Sequence, residues 1–305
     1  MISKDLSIII VNYNTKDLLR GCIDSVLQYT TDIKYEIIVV DNNSSDGSTN
    51  MLKEEYKAIR LIENAKNVGF ARANNQGMSI ASGQFILLLN SDTVLLDNVL
   101  IKLVNFLKVN KQVGIVGPKV LNEDKSLQFS FGKFPGIKAE LERTFFLEYR
   151  LTRMRMQNDL RLSANVPFSV DWVSGCCFMI RREVYEKIGG LDEQFFLFNE
   201  EVDWCLRVKK AEWLVFYVPK CEIIHYGGKS TQKNYYIFIK SRYHSRLLFF
   251  KKHYSISRQL VFRSIVVFAL LLRLLFVSFT FSNQKERKER FSAYRDALFQ
   301  HIGLK

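Results

Sequence analysis

A chain of 305 residues with 48% apolar content is long enough for one sizeable core and an appendage. Its formal charge of +13 is local: from Lys229 onward 16 Lys and Arg face 3 Asp and Glu, and residues 1–228 are neutral. A nucleic-acid partner is argued against, because the basic stretch is threaded with long apolar runs and carries no stacking motif or recognised module; an anionic membrane surface fits both features.

The five cysteines, Cys22, Cys176, Cys177, Cys205 and Cys221, are odd in number and show no CxxC spacing. Met1–Asp5 lead into a strand rather than a signal peptide, so we expect buried, reduced thiols in a cytoplasmic chain. Leu6–Val11 reads as a strand, and the apolar pairs Leu18/Leu19, Cys22/Ile23 and Val26/Leu27 read as one helix face. The unit recurs with a strand at Glu36–Val40, the turn DNNSSDGS and a helix at Thr49–Tyr56. It recurs again with a strand at Arg60–Ile62 and a helix at Phe70–Ala81. Phe85–Leu89, five apolar residues in a row, predicts a strand buried on both faces. This alternation predicts an α/β fold with a mostly parallel sheet and right-handed crossovers.

Beyond Asp92 we expect a helix at about Asp97–Val109 and a strand at Val113–Val116, then a loop and helix over 122–168 that cover the site with some disorder. A strand at Val170–Ile180, a helix at Arg181–Ile188 closed by Gly189 and Gly190, a helix at Glu200–Lys210, and strands at Trp213–Val218 and Glu222–His225 complete the reading.

Chemistry concentrates at strand ends. Asp41 and Asp92 each follow an apolar strand, where open α/β sheets place ligands. Asp46 reads as an ordinary helix cap. Glu200, Glu201 and Asp203 crowd one helix start, where the dipole favours acids. Their aromatic neighbours Phe198 and Trp204 would strip water from a carboxylate and make it a better proton acceptor. His225 ends a strand beside Gly227 and Gly228, as a metal ligand can.

The segments SIIIVNYN, VVDNNSSDGS, NVGFARANNQG, FILLLNSDT, WVSGCCFMIRREVYEKIGGLDEQFF, NEEVDWCLR and HYGGKS occur in this order. Together they resemble the family 2 glycosyltransferases of the GT-A fold, with the nearest likeness to bacterial rhamnosyltransferases. The resemblance covers about residues 5–230. It implies a catalytic domain over 1–230 and a basic helical extension over 231–305. It implies that Tyr13 and Asp41 hold the nucleotide base, and that Asn75, Asn90 and Trp172 belong to the donor and sugar pocket. It further implies that Asp92 and His225 bind Mg²⁺ or Mn²⁺, and that Glu201 is the base, with Glu200 and Asp203 as competitors. Asn90 stands where many relatives have Asp, and Glu201 where Asp is commoner.

The implied reaction moves a sugar, rhamnose or similar, from a dTDP- or UDP-sugar to a growing glycan, with inversion. Rival readings are transfer to polyprenyl phosphate and an inactive GT-A scaffold. Leu260–Phe281 is 22 residues long and broken by Arg263 and Arg273. An arginine near mid-bilayer costs roughly 2.5–3.5 kcal/mol. We therefore expect a helix lying in the cytoplasmic interface, close to a lipid-linked acceptor, over one that spans the bilayer or packs on the catalytic domain. A homo-oligomer is compatible with the same sequence.

Overall fold

The computed structural model describes residues 4–145, 147, 150–152, 154, 159–227, 235–280 and 284–303. In chain order the elements are β1 Lys4–Asn12, α1 Lys16–Tyr29, β2 Tyr35–Asp41, α2 Ser48–Glu55, β3 Arg60–Glu63, α3 Phe70–Ser79, β4 Gly83–Asn90, β5 Thr93–Leu95, α4 Val99–Val109, β6 Val113–Leu121, β7 Phe131–Gly132 and α5 Ile137–Thr144. They continue with α6 Leu160–Ser163, β8 Phe168–Ser169, β9 Trp172–Val173, β10 Cys177–Arg181, α7 Arg182–Ile188, α8 Glu200–Lys210, β11 Leu214–His225, α9 Tyr235–His253, α10 Ile256–Thr280 and α11 Gln284–Ile302.

The chain divides into two compact units. One comprises Met1–Phe134, Asp159–Phe196 and Glu200–Ser230, and the other Pro135–Asn158, Leu197–Asn199 and Thr231–Lys305. The second unit thus takes 135–158 and 197–199 in addition to the residues after 230.

The first unit is an α/β sheet in the order β3-β2-β1-β4-β10-β6-β11-β5, with β8 on β11. Strands β3, β2, β1 and β4 run parallel, as do β6 and β11, whereas β10 is antiparallel to both of its neighbours. Alternation along the strands divides the core. Leu6, Ile8, Ile10, Leu87 and Leu89 join Leu19, Ile23 and Leu103 of the helices on one face. On the other face α3 lies so close that a Cβ on Gly77 would stand 2.5 Å from the Ile9 side chain. Burial on both faces is why β4 could be read as an unbroken apolar run.

Three expected elements differ. Val170–Ile180 is not one strand but β9 and β10, broken at Ser174–Cys176. There the backbone turns to other partners: Ser174 N–H to Ser130 O at 2.8 Å, and Asn90 N–H to Cys176 O at 2.9 Å. The two strands expected at 213–225 are a single β11, whose register against β6 shifts between Val218 and Glu222, around a proline that can give the ladder no N–H. The short strands β5, β7 and β8 were not anticipated. Within 122–168 the structure holds a tight return at 121–128, β7, α5 and α6. The disorder expected there falls partly on 146, 148, 149, 153 and 155–158, outside the described residues.

The second unit is helical. Phe250 and Phe262 stack at 3.9 Å between α9 and α10, and the buried carboxylate of Glu140 pairs with Arg246. Tyr236 Oη donates to Asp296 at 2.6 Å, tying α9 to α11.

Glu36 supports the parallel half of the sheet. Its carboxylate accepts from Ser7 Oγ (2.7 Å), Ser82 N–H (2.7 Å) and Ser82 Oγ (2.7 Å). Burial alone would raise its pKa, but the Ser7 and Ser82 donors and the charge of Lys4 outweigh it and bring the carboxyl from 4.5 to about 2. A carboxyl depressed on folding stabilises above its unfolded pKa and ceases to do so as pH falls through the folded one. Glu36→Gln is therefore expected to lose on the order of 3 kcal/mol of unfolding free energy at neutral pH. In urea titrations it should also flatten the decline in stability expected of the parent between pH 4.5 and 2.

Candidate functional site

Strand register assembles the carboxyl edge. Asn12 of β1 stands opposite Asp41 of β2, and Val11 opposite Asn90 of β4. The ends of β2 and β4 are therefore two strand spacings apart, roughly 10 Å. Asp41, 1% exposed, accepts from Asn12 Nδ2 and from Ser44 N–H, each at 2.8 Å. Tyr13 beside it is open to solvent. Asn14 and Asn43, in the loops after β1 and β2, adopt φ of 54° and 68°, a region Asn enters more readily than most residues. Asp46 holds the start of α2 by accepting from Ser48 N–H at 3.0 Å, and it also takes Lys16 N–H at 2.8 Å.

Asp92 and His225, 133 positions apart in the sequence, meet because of β5. Thr93 pairs with His225 across the antiparallel β5–β11 ladder, and Tyr226 N–H donates to Asp92 O at 3.0 Å. Asp92 Oδ1 then lies 3.1 Å from His225 Nε2, and Asn90 Nδ2 lies 3.2 Å from the same nitrogen. The other ring nitrogen, Nδ1, faces Gln128 Oε1 at 2.6 Å.

Among the described residues no three His, Cys, Asp or Glu side chains are grouped to hold a metal. A carboxylate and an imidazole supplied by Asp92 and His225 nevertheless suit Mg²⁺ or Mn²⁺, whose remaining positions are ordinarily filled by waters and substrate phosphate. Asn90 Oδ1 is buried at this point with no hydrogen-bond partner, which a nearby cation would satisfy. The donor set therefore fits such an ion.

The carboxylates of α8 are sorted by the phase of the helix. Trp204 stacks on Phe178 of β10 at 5.3 Å and 7°, and its Nε1–H donates to Gly189 O at 2.9 Å. Asp203, wholly buried, accepts from Arg207 Nε at 2.8 Å, and the same guanidinium donates to Ile188 O and Gly190 O. Asp203 is thereby tied to holding α8 against the loop after α7. Glu200 is buried, and burial together with the charge of Glu201 pushes its carboxyl well above the usual range.

Glu201 is only partly covered and lies against the Ser174–Cys176 turn, where a Cβ on Gly175 would come within 3.6 Å of the Glu201 Cβ. Burial pushes the Cys176 thiol up to about 12, and both Asp92 and Glu201 add to the shift. Asn90 N–H and Thr93 Oγ1, on either side of Asp92 in the chain, both reach Cys176 O, at 2.9 and 3.4 Å, so Asp92 and Glu201 lie by the same turn. All five cysteines are free and buried.

Trp172 is placed beside this turn, with its Nε1–H on Lys133 O at 2.9 Å and Phe129 edge-on at 5.4 Å. Asn75 is committed elsewhere: its amide donates to Leu191 O (2.9 Å) and Glu193 Oε1 (3.1 Å) and accepts from Leu191 N–H (2.9 Å). It fixes the turn after α7. Sequence reading missed Gln128 and Phe129. The signal available to it was the run Asn122–Ser126, polar turn chemistry that sends the chain back along β6.

Residues 7–189 match the family described as Glycosyl transferase family 2. The chain is 27% identical over 265 residues to N-acetylglucosaminyl-diphospho-decaprenol L-rhamnosyltransferase of Mycobacterium tuberculosis, covering 78% of this chain and 85% of that protein. It is 26% identical to Rhamnosyltransferase WbbL of Escherichia coli K12, over 72% of this chain and 83% of that one. A solved structure, the mannosyltransferase PcManGT from Pyrobaculum calidifontis in complex with GDP-Man and Mn²⁺, superposes with a TM-score of 0.58 at 16% identity. It covers 98% of this chain and 84% of its own. At that identity the likeness is one of fold.

Because Asp203 holds α8 through a buried ion pair, Asp203→Asn is expected to lower unfolding free energy by about 3 kcal/mol, the scale for removing one partner of such a pair. Denaturant unfolding measures it. A cost below about 0.5 kcal/mol, typical of a surface change, would return Asp203 to the candidates for chemistry.

Proposed function

The chain belongs to glycosyl transferase family 2, and from that premise we propose that it transfers a hexose, rhamnose or a close analogue, from a nucleoside diphosphate donor to a lipid-linked glycan in cell-surface polysaccharide assembly, inverting the anomeric centre. The observation that carries the reading is the convergence of Asp92 and Glu201 on the Ser174–Cys176 turn, with Asp203 held in an ion pair and Glu200 buried. The names of two relatives support rhamnose, and one of them supports a lipid diphosphate acceptor.

Asp41 and Tyr13 receive the base at the end of β2. The span of roughly 10 Å from there to the end of β4 suits a nucleoside followed by its diphosphate. Asp92 and His225, with Asn90 beside them, would hold a divalent cation, whose chemistry would be to neutralise charge on the leaving diphosphate. Glu201 takes the proton of the acceptor hydroxyl as that oxygen attacks the anomeric carbon from the face opposite the leaving group. Trp172 and Phe129 offer an apolar wall of the kind sugar rings pack on.

The second unit suits work at an anionic membrane. Ile256–Val277 is long and apolar enough to cross a bilayer by length and composition, but its two inner arginines, Arg263 and Arg273, are held by protein. Arg263 Nε donates to His301 O at 2.7 Å, and Arg273 Nη2 to Arg143 O at 3.0 Å. Leu260, Val261, Phe268, Leu271, Leu275 and Phe276 are exposed, as are Lys251, Lys252, Arg258, Lys285, Arg287 and Lys288. An apolar face with bound arginines and exposed basic flanks is the pattern of a helix that lies in the inner membrane interface.

Three outcomes test this reading. Glu201→Gln is expected to keep donor binding, seen as a rise in thermal midpoint with nucleotide sugar and Mn²⁺, and to lose turnover by at least about 10²-fold. Undiminished turnover would move the base elsewhere. Asp92→Ala should abolish the metal-dependent part of that rise. Full-length protein should float with anionic liposomes, and less so in high salt; indifference to anionic lipid would reassign the exposed face.

A further inference from the structure

We infer that Gln128 is a positioning residue of this site: it holds His225 in the Nδ1–H tautomer and so reserves Nε2 as the electron-pair donor to the divalent cation. The inference rests on the metal reading of Asp92 and His225. It begins with the tight return after β6. Asn122 N–H donates to Ser126 O at 2.8 Å, Asp124 Oδ1 accepts Ser126 N–H at 2.9 Å, and Lys125 takes φ of 63°. Leu127 bridges back to Leu121, and Gln128 N–H reaches Val120 O at 2.9 Å. The return delivers the Gln128 side chain to the end of β11.

The orientation of that amide is decided by its neighbours. One end of it lies 3.0 Å from the His225 carbonyl oxygen and 2.7 Å from Asn122 Oδ1, whose own amide nitrogen is spent on Ser126 Oγ at 2.9 Å. Two acceptors there require the NH₂ group. The carboxamide oxygen must then be the atom facing His225 Nδ1 at 2.6 Å, and an oxygen so close to a ring nitrogen requires a proton on that nitrogen. In the neutral ring the other nitrogen, Nε2, keeps its lone pair.

That lone pair points toward Asp92 Oδ1 at 3.1 Å. Asn90 Nδ2, 3.2 Å from the same nitrogen, can donate to it, and a cation bound by both Asp92 and His225 would relieve the contact between lone pair and carboxylate. A neutral amide suits the orienting role, because it fixes the ring without placing a second carboxylate near the first. Partners of this kind beyond the ligands themselves typically change metal affinity by about 10- to 100-fold.

The test uses the full chain with ¹⁵N-labelled histidine, metal-free, at a pH where imidazole is neutral. The His225 signals are assigned by their loss in His225→Asn. The expected result is Nδ1–H in the parent and a shift toward Nε2–H in Gln128→Leu. Titration with Mn²⁺ alone, followed by the free-ion EPR signal, should show Gln128→Leu weaker than the parent by at least about 10-fold. Nε2–H in the parent, or an unchanged tautomer and affinity in Gln128→Leu, overturns the inference. If the leucine variant does not fold, the parent spectrum still decides. A parent that binds no Mn²⁺ refutes the metal reading, while its tautomer still reports on Gln128.

Discussion

The end of strand β4 is gripped by main-chain hydrogen bonds from both sides, and the site follows from that. A chain leaving a buried strand must still satisfy its N–H and C=O groups. Asn90 N–H finds Cys176 O on one flank, and Asp92 O accepts Tyr226 N–H on the other. The first bond holds the Ser174–Cys176 turn against the strand end and with it the surface on which Glu201 rests. The second, with the β5–β11 ladder, brings His225 to Asp92. Neither bond involves a side chain, so the geometry is set by the fold before any reacting group is chosen.

The antiparallel insertion of β10 is what makes room for both. A strand entering between β4 and β6 from the opposite direction presents its amino end at the carboxyl edge of the sheet. The loop before it, rather than the helix after it, therefore reaches the site. The helix after next, α8, is then set by Trp204 on Phe178, and this phase turns Asp203 into the fold and leaves Glu201 at the turn. Three acids of similar chemistry acquire three settings from position alone: an ion pair, a buried acid with a raised pKa and a half-buried glutamate at the turn.

How much of this was legible in the sequence follows the range of the interactions. The alternation of apolar and polar residues, a local property, located β1, β2, β4 and the helices between them, because burial on one or both faces leaves a period in the chain. The strand ends at Asp41 and Asp92 were legible for the same reason. The break at Ser174–Cys176 was not, since its cause is a partner 86 positions away at Asn90. Strand β5 has three residues, too few for a period to show. Gln128 reaches His225 across 97 positions. The role of Asp203 could have been suspected from its i, i+4 spacing to Arg207, although only packing shows that this pair faces inward.

The proposed transfer is a single displacement driven by one carboxylate base. The most direct measurement is the anomeric configuration of the product formed from a nucleoside diphosphate sugar of known configuration, read from the one-bond carbon–proton coupling at the anomeric carbon. Glu201 acting as a base on the acceptor hydroxyl predicts complete inversion. A product that retains the donor's configuration would require either a covalent sugar–enzyme intermediate or attack from the leaving-group face, and would contradict the role given to Glu201.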